Sequence, residues 1–238
     1  IRRIELEGAN SPADVLLTVD AGRLFRAKEA GILAPLESDI LTQRIPAAYR
    51  DPDNQWFGLS LRSRVIMFDK SRVSAAEISR YEDLADPKWK GEICIRSSGN
   101  IYNQSLLASL IEHLGEEATE AWAEGLVANM ARRPQGGDRD QIRAAVAGQC
   151  KLAVSNTYYL AGMLNSGVAA DIEVAEQIGV IWPNQADRGA HMNVSGAGVI
   201  STAKNPNEAR QLIEFLSDDY AQQWYSEVNN KYSVRADI

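Results

Sequence analysis

Short apolar segments alternate with amphipathic helical stretches along most of this chain, and that alternation restricts it to an α/β architecture. Residues 14–19 (Asp-Val-Leu-Leu-Thr-Val) form a continuous apolar run of the kind that fills a central parallel strand. Residues 21–30 read as the helix that follows, stopped at Gly31. The same order recurs downstream. Strands are predicted over 59–68, 92–95, 151–155 and 194–201, and helices over 103–114, 116–130, 138–147, 159–164, 206–217 and 219–228. Glycines 115, 136, 137 and 148 punctuate the helices. Right-handed crossovers are expected between the strands.

Two stretches break the rhythm. Residues 69–90 are polar and carry Pro87, and read as a crossing from one lobe to another. Residues 194–200 place Gly196 and Gly198 within a strand, a sign of bending or close backbone approach, and read as the return. The expected division is a partial first lobe with its hinge strand over 1–68, a second lobe over 69–193, and a return strand with first-lobe helices over 194–238.

At 238 residues and 45% hydrophobic, the chain has enough material for one large core or two modest ones. Its net charge of −7 argues against a nucleic-acid partner, which would call for a basic face. No run approaches the roughly 18 apolar residues of a membrane span, and no basic-then-apolar leader opens the sequence. No Ser/His/Asp or Cys/His arrangement or carboxylate dyad suggests catalysis, so an enzyme is the least favoured reading.

The chemistry gathers at strand ends, where α/β proteins hold their ligands. Tyr158 and Tyr159 follow the strand at 151–155 across an Asn-Thr turn. A phenol is a hard oxygen donor whose proton a highly charged cation displaces, so an adjacent pair points to a trivalent metal, above all Fe(III). Ordinary half-buried packing is the plainer explanation. After the strand at 92–95 comes Arg-Ser-Ser-Gly-Asn-Ile-Tyr-Asn-Gln-Ser (96–105), which leads Ser98 and Gly99 into a helix start that suits an anion, with Tyr102 in its first turn. The alternative is a serine N-cap, Ser97 or Ser98, with Tyr102 as packing. Arg62 and Arg64 share a strand face by the period of two and suit a bidentate oxyanion such as carbonate, unless they are solvated edge charges.

The two cysteines, Cys94 and Cys150, each sit on a short apolar segment that runs into one of these loops. If the segments are neighbouring strands, the roughly 4.4–6.8 Å between Cα atoms that a disulfide needs is within reach, and an oxidised pair would imply export. Two unrelated buried thiols would look the same in sequence. His113, late in a helix, is expected to interact with the helix C-terminus. His191, at the start of the return strand, suits a hinge or supporting role more than direct metal contact.

Several stretches together carry a family resemblance: Glu-Gly-Ala-Asn-Ser-Pro-Ala-Asp-Val-Leu-Leu-Thr-Val-Asp (7–20), Trp-Phe-Gly-Leu-Ser-Leu-Arg-Ser-Arg-Val (56–65), Ser-Ser-Gly-Asn-Ile-Tyr-Asn-Gln-Ser (97–105), Ser-Asn-Thr-Tyr-Tyr (155–159) and His-Met-Asn-Val-Ser-Gly-Ala-Gly-Val (191–199). The chain resembles the periplasmic ferric-iron-binding proteins of bacterial ABC importers, in the branch that uses several tyrosines. The resemblance implies a two-lobe, type II Venus-flytrap fold, here truncated at both ends, since Ile1 falls inside the family's first helix and members continue past Ile238. It implies Tyr102, Tyr158 and Tyr159 as phenolate ligands of Fe(III), and Arg62 or Arg64 holding a synergistic carbonate or bicarbonate. Ser98, Gly99 and Asn156 become anion-side candidates. It also implies a monomeric periplasmic protein that delivers iron to an ABC permease. Asp20 lies near where some relatives place a carboxylate ligand, but one position out of register, and takes no such role. A protein of the same fold that binds a metal-free oxyanion or small organic anion is the alternative.

Overall fold

The computed structural model describes residues 1–238. The chain opens with a short helix, α1 (Arg2–Glu7), and a strand, β1 (Val15–Val19). Asp20 then caps α2 (Ala21–Glu29), its carboxylate accepting from the Gly22 N–H at 3.1 Å. Leu24 and Ala27, three residues apart on α2, bury the same helix face. A two-residue strand β2 (Leu33–Ala34) and a helix α3 (Asp39–Arg44), capped by Ser38, lead to the long strand β3 (Phe57–Asp69), buried along its whole length.

Next come β4 (Ile93–Cys94), α4 (Ile101–Leu114), α5 (Glu116–Asn129), α6 (Asp138–Val146), β5 (Leu152–Asn156), α7 (Thr157–Leu164), α8 (Ala169–Glu176) and β6 (Ile178–Ile181). The chain ends with β7 (Met192–Ile200), α9 (Pro206–Leu216) and α10 (Asp219–Glu227).

Two compact units result, one of residues 1–62 with 193–238 and one of residues 63–192. In the first, β7 lies between β1 and β3, and β2 also pairs with it; β1 and β2 both run antiparallel to β7. Its core packs Leu24, Leu41, Ile45, Phe57, Leu59 and Ile213, among others. Gly196 and Gly198 let β7 come close: a Cβ there would meet the Phe57 carbonyl at 2.4 Å and the Gln55 carbonyl at 2.3 Å.

In the second unit β5 and β6 flank β3, both antiparallel, and β4 runs parallel to β5. One core joins Ile66, Tyr81, Trp89, Leu110 and Trp122; another joins Val65, Met67, Ile142, Ala153 and Met163.

Three readings of the sequence need correction. β1 is not a central parallel strand: it is antiparallel, and Leu17 at its middle is 60% exposed. The polar stretch 69–90 is not a crossing. It folds as 3₁₀ turns that bury Val73, Ile78, Tyr81, Leu84 and Trp89 in the second unit, while the boundary itself lies inside β3, between Arg62 and Ser63. Asn100, rather than Ser97 or Ser98, caps α4, which starts two residues earlier than its apolar spacing suggests.

Candidate metal and anion site

Two strands of the second unit deliver the phenols. β4 and β5 pair through Ile93 with Leu152 and Cys94 with Ala153, which sets the loops after them side by side. A disulfide joins Cys94 to Cys150, with Cα atoms 5.9 Å apart. It staples the root of one loop to the root of the other strand.

From the first loop, the Asn100 carbonyl oxygen of the side chain accepts the Tyr102 N–H at 3.0 Å and starts α4 with Tyr102 as its second residue. From β5, Asn156 ends the strand and Thr157 begins α7, so Tyr158 and Tyr159 lie in the first turn of that helix. The three phenols, all half-buried, converge. The Tyr158 hydroxyl donates to the Tyr102 hydroxyl at 3.2 Å, and the Tyr159 ring lies 4.3 Å from the Tyr158 ring, tilted by 35°. Hard cations hold oxygen donors at roughly 2.0–2.2 Å, which sets two ligands at right angles about 3 Å apart. The spacing of the Tyr102 and Tyr158 oxygens is that of two neighbouring ligands on one ion.

Burial, followed by the hydrogen bonds to Tyr102 and Tyr159, pushes the Tyr158 phenol above its ordinary value. Burial raises Tyr159 as well, partly offset by Tyr158 and by Arg96.

Positive charge surrounds the cluster. The Arg96 guanidinium lies 5.8 Å from the Tyr102 ring centre, and that of Arg139 lies 5.8 Å from the Tyr159 ring centre. The Asp138 carboxylate, fully buried, accepts from Arg64 at 2.8 Å and from Arg96 at 2.6 Å. Sequence reasoning missed Arg96, Asp138 and Asn103. The one local sign of Asp138 was its place at a helix start, directly after Gly136-Gly137.

Arg62 and Arg64 are 2% and 1% exposed, so neither is a solvated edge charge. Each instead faces a carboxylate of its own unit. Arg62 donates to Asp20 at 3.0 Å and to Ser195 at 3.4 Å. Arg64 donates through Nε and Nη2 to the Asn103 side-chain oxygen at 3.0 and 2.6 Å and through Nη1 to Asp138 at 2.8 Å and Asn156 at 3.1 Å. Its remaining N–H reaches the Val154 carbonyl at 3.4 Å. Those bonds engage all five N–H donors of Arg64, so the grip on an oxyanion expected of it would break one of them.

Ser98 and Gly99 are exposed just ahead of α4. Asn156 is buried; its oxygen is taken by Arg64 and its Nδ2 has no partner. A buried donor left unpaired costs about 1–3 kcal/mol, which an acceptor supplied by a ligand would recover. His113 holds the Ser109 carbonyl at 2.7 Å near the α4 C-terminus, as expected of it. The His191 backbone donates to the Tyr81 hydroxyl at 3.0 Å and accepts from the Arg64 N–H at 3.1 Å.

Residues 10–237 match the family of bacterial extracellular solute-binding proteins. This chain belongs to that family. It is 52% identical over its whole length to iron uptake protein A1 of Synechocystis sp. (strain ATCC 27184 / PCC 6803 / Kazusa), covering 66% of that protein. It is 48% identical to iron uptake protein A2 of the same organism, over 98% of this chain and 68% of that one. The chain thus spans about two thirds of the length of these relatives. Among solved structures, a Trichodesmium protein in complex with iron and citrate superposes with a TM-score of 0.95 at 53% identity, covering 99% of this chain and 74% of that one. The ferric binding protein from Campylobacter jejuni gives 0.96 at 41% identity, over 100% and 75%. The fold is that of the type II periplasmic binding proteins.

Proposed function

We propose that this solute-binding protein captures Fe(III) through Tyr102, Tyr158 and Tyr159. The observation that carries the reading is the 3.2 Å separation of the Tyr158 and Tyr102 oxygens, with the tilted Tyr159 ring 4.3 Å from that of Tyr158. Three phenolates balance a trivalent charge, which a half-buried site requires because an uncompensated charge there is costly. On the anion side, Ser98, Gly99 and the unpaired Nδ2 of Asn156 are the groups that would receive a synergistic carbonate, bicarbonate or similar anion. The names of the relatives, iron uptake proteins and ferric-binding proteins, support the same cargo.

The role is capture and delivery rather than catalysis. The cargo passes to the permease of an ABC importer, and the protein works outside the cytoplasm, as a monomer. The Cys94–Cys150 disulfide supports an oxidising compartment. A second reading, a metal-free oxyanion ligand, draws on the unpaired Asn156 donor alone.

Visible absorption during titration of the metal-free protein with ferric citrate, with and without bicarbonate, separates the two. A tyrosinate-to-iron charge-transfer band is expected, lost in the Tyr158→Phe/Tyr159→Phe protein and strengthened by the anion that completes the shell. Absence of any band would rule out the ferric reading and favour the oxyanion.

A further inference from the structure

Asp138 is a fully buried carboxylate at the centre of the contacts that surround the three phenols. One oxygen accepts from Arg64 and the other from Arg96. Through Arg64 the pull reaches Asn103, the residue after Tyr102, and Asn156, two residues before Tyr158. Through Arg96 it reaches the Tyr102 ring, 5.8 Å away, and the electrostatic surroundings of Tyr159. Asn103 closes the circuit by donating to the Arg96 and Ser97 carbonyls at 2.8 and 3.2 Å.

Burying a carboxylate with two guanidiniums is a poor way to gain stability, because desolvation cancels most of the attraction. Its effect is on geometry. Each carboxylate oxygen holds one guanidinium through a short charge-assisted hydrogen bond, which fixes direction as well as distance. Asp138 is also the first residue of α6, where a helix dipole favours negative charge.

We propose that Asp138 is a positioning residue for the tyrosine cluster: by clamping Arg64 and Arg96 at once, it fixes the spacing between the helix that carries Tyr102 and the helix that carries Tyr158 and Tyr159. The inference rests on the ferric reading for its consequence, tighter metal binding, but not for the clamp itself. Partners that orient metal ligands from one layer out typically account for about 10–100-fold in affinity.

The test uses Asp138→Asn, Arg96→Met and the double variant. Arg96 is 22% exposed where Asp138 is fully buried, so its replacement is expected to disturb the core less than the Asp138 change. Ferric affinity is expected to fall about 10–100-fold in each single variant, with a shifted charge-transfer band, and the double variant should be no worse than Asp138→Asn alone. In the metal-free protein, the ring resonances of 13C-labelled Tyr102 and Tyr159 should move in both single variants. A merely structural carboxylate would lower thermal stability without moving the band, and its losses would multiply with those of Arg96→Met. Unmoved ring resonances, unchanged affinity in a folded variant, or multiplying losses would each overturn the proposal. If the unaltered protein showed no band at all, the ferric reading would fall, and the ring resonances would still decide the clamp.

Discussion

Glu82 shows how single side chains hold the frame on which the site is built. Burial alone would raise its carboxyl, but the Asn184 amide at 3.0 Å, its own backbone and the Arg188 guanidinium at 2.8 Å outweigh that and hold it at about 2. Its neighbour Tyr81 donates to the Arg64 carbonyl and accepts the His191 N–H, and burial lifts its phenol to about 12. A carboxyl held below its ordinary value stabilises the fold above that value and ceases to as pH falls through the folded one. Glu82→Gln should therefore lower the urea midpoint at pH 7, and the gap to the unaltered protein should narrow as pH drops from about 4.5 toward about 2. A gap that stays constant or widens on acidification would contradict this assignment. At this scale the sequence showed the donors but not their supports. Tyr158 and Tyr159 are adjacent and Tyr102 follows a Ser-Ser-Gly-Asn turn, so local pattern finds them. Asp138 and Arg64 are 74 residues apart, and nothing local marks a salt bridge that only the folded chain brings together.

Elements were legible where apolar spacing was regular. The helices α2, α5, α6, α9 and α10 begin and end within about two residues of what their glycines and caps suggest. β2, two residues long, and the 3₁₀ turns around Ile78, Leu84 and Trp89 carry no period to read. The orientation of β1 was also hidden, because a run such as Val-Leu-Leu-Thr-Val fits a parallel or an antiparallel partner equally well. The pairing of β4 with β5 could be framed only as a condition, and the disulfide between Cys94 and Cys150 meets it. That crosslink closes a loop of 56 residues in separation, for which loss of chain entropy in the unfolded state is worth about 4 kcal/mol. Cys94→Ala/Cys150→Ala is expected to lose most of that in urea denaturation. Because the bond ties the root of the Tyr102 loop to the start of the strand that leads to Tyr158 and Tyr159, its loss should also weaken ferric binding at temperatures where the protein remains folded. An unchanged urea midpoint would mean that β4 and β5 hold their register without it.

The whole chain is two units on one thread, and no core residue of either unit is drawn from the other. Sequence composition suggested two lobes but placed the first boundary in the polar stretch 69–90, because charges there surround the Tyr81, Leu84 and Trp89 that the second unit buries. The true crossing runs through the middle of an unbroken, fully buried strand, at Arg62–Ser63, where no proline or glycine marks a linker. The second unit is a continuous segment, 63–192, of the size at which domains fold alone. It keeps the β3 residues that pair with β5 and β6, both of its cores, the disulfide, and Tyr102, Tyr158 and Tyr159 with Asp138 and both of its arginine partners. Expressed as residues 63–192, it should give one cooperative urea transition and a native-like near-ultraviolet dichroism for its buried Tyr81 and Trp122, whose indole donates to the Tyr81 carbonyl at 2.7 Å. A broad, non-cooperative transition would mean that the Phe57–Arg62 half of β3 is needed to hold the other half straight, and that the phenol cluster depends on a strand whose first six residues belong to the other core.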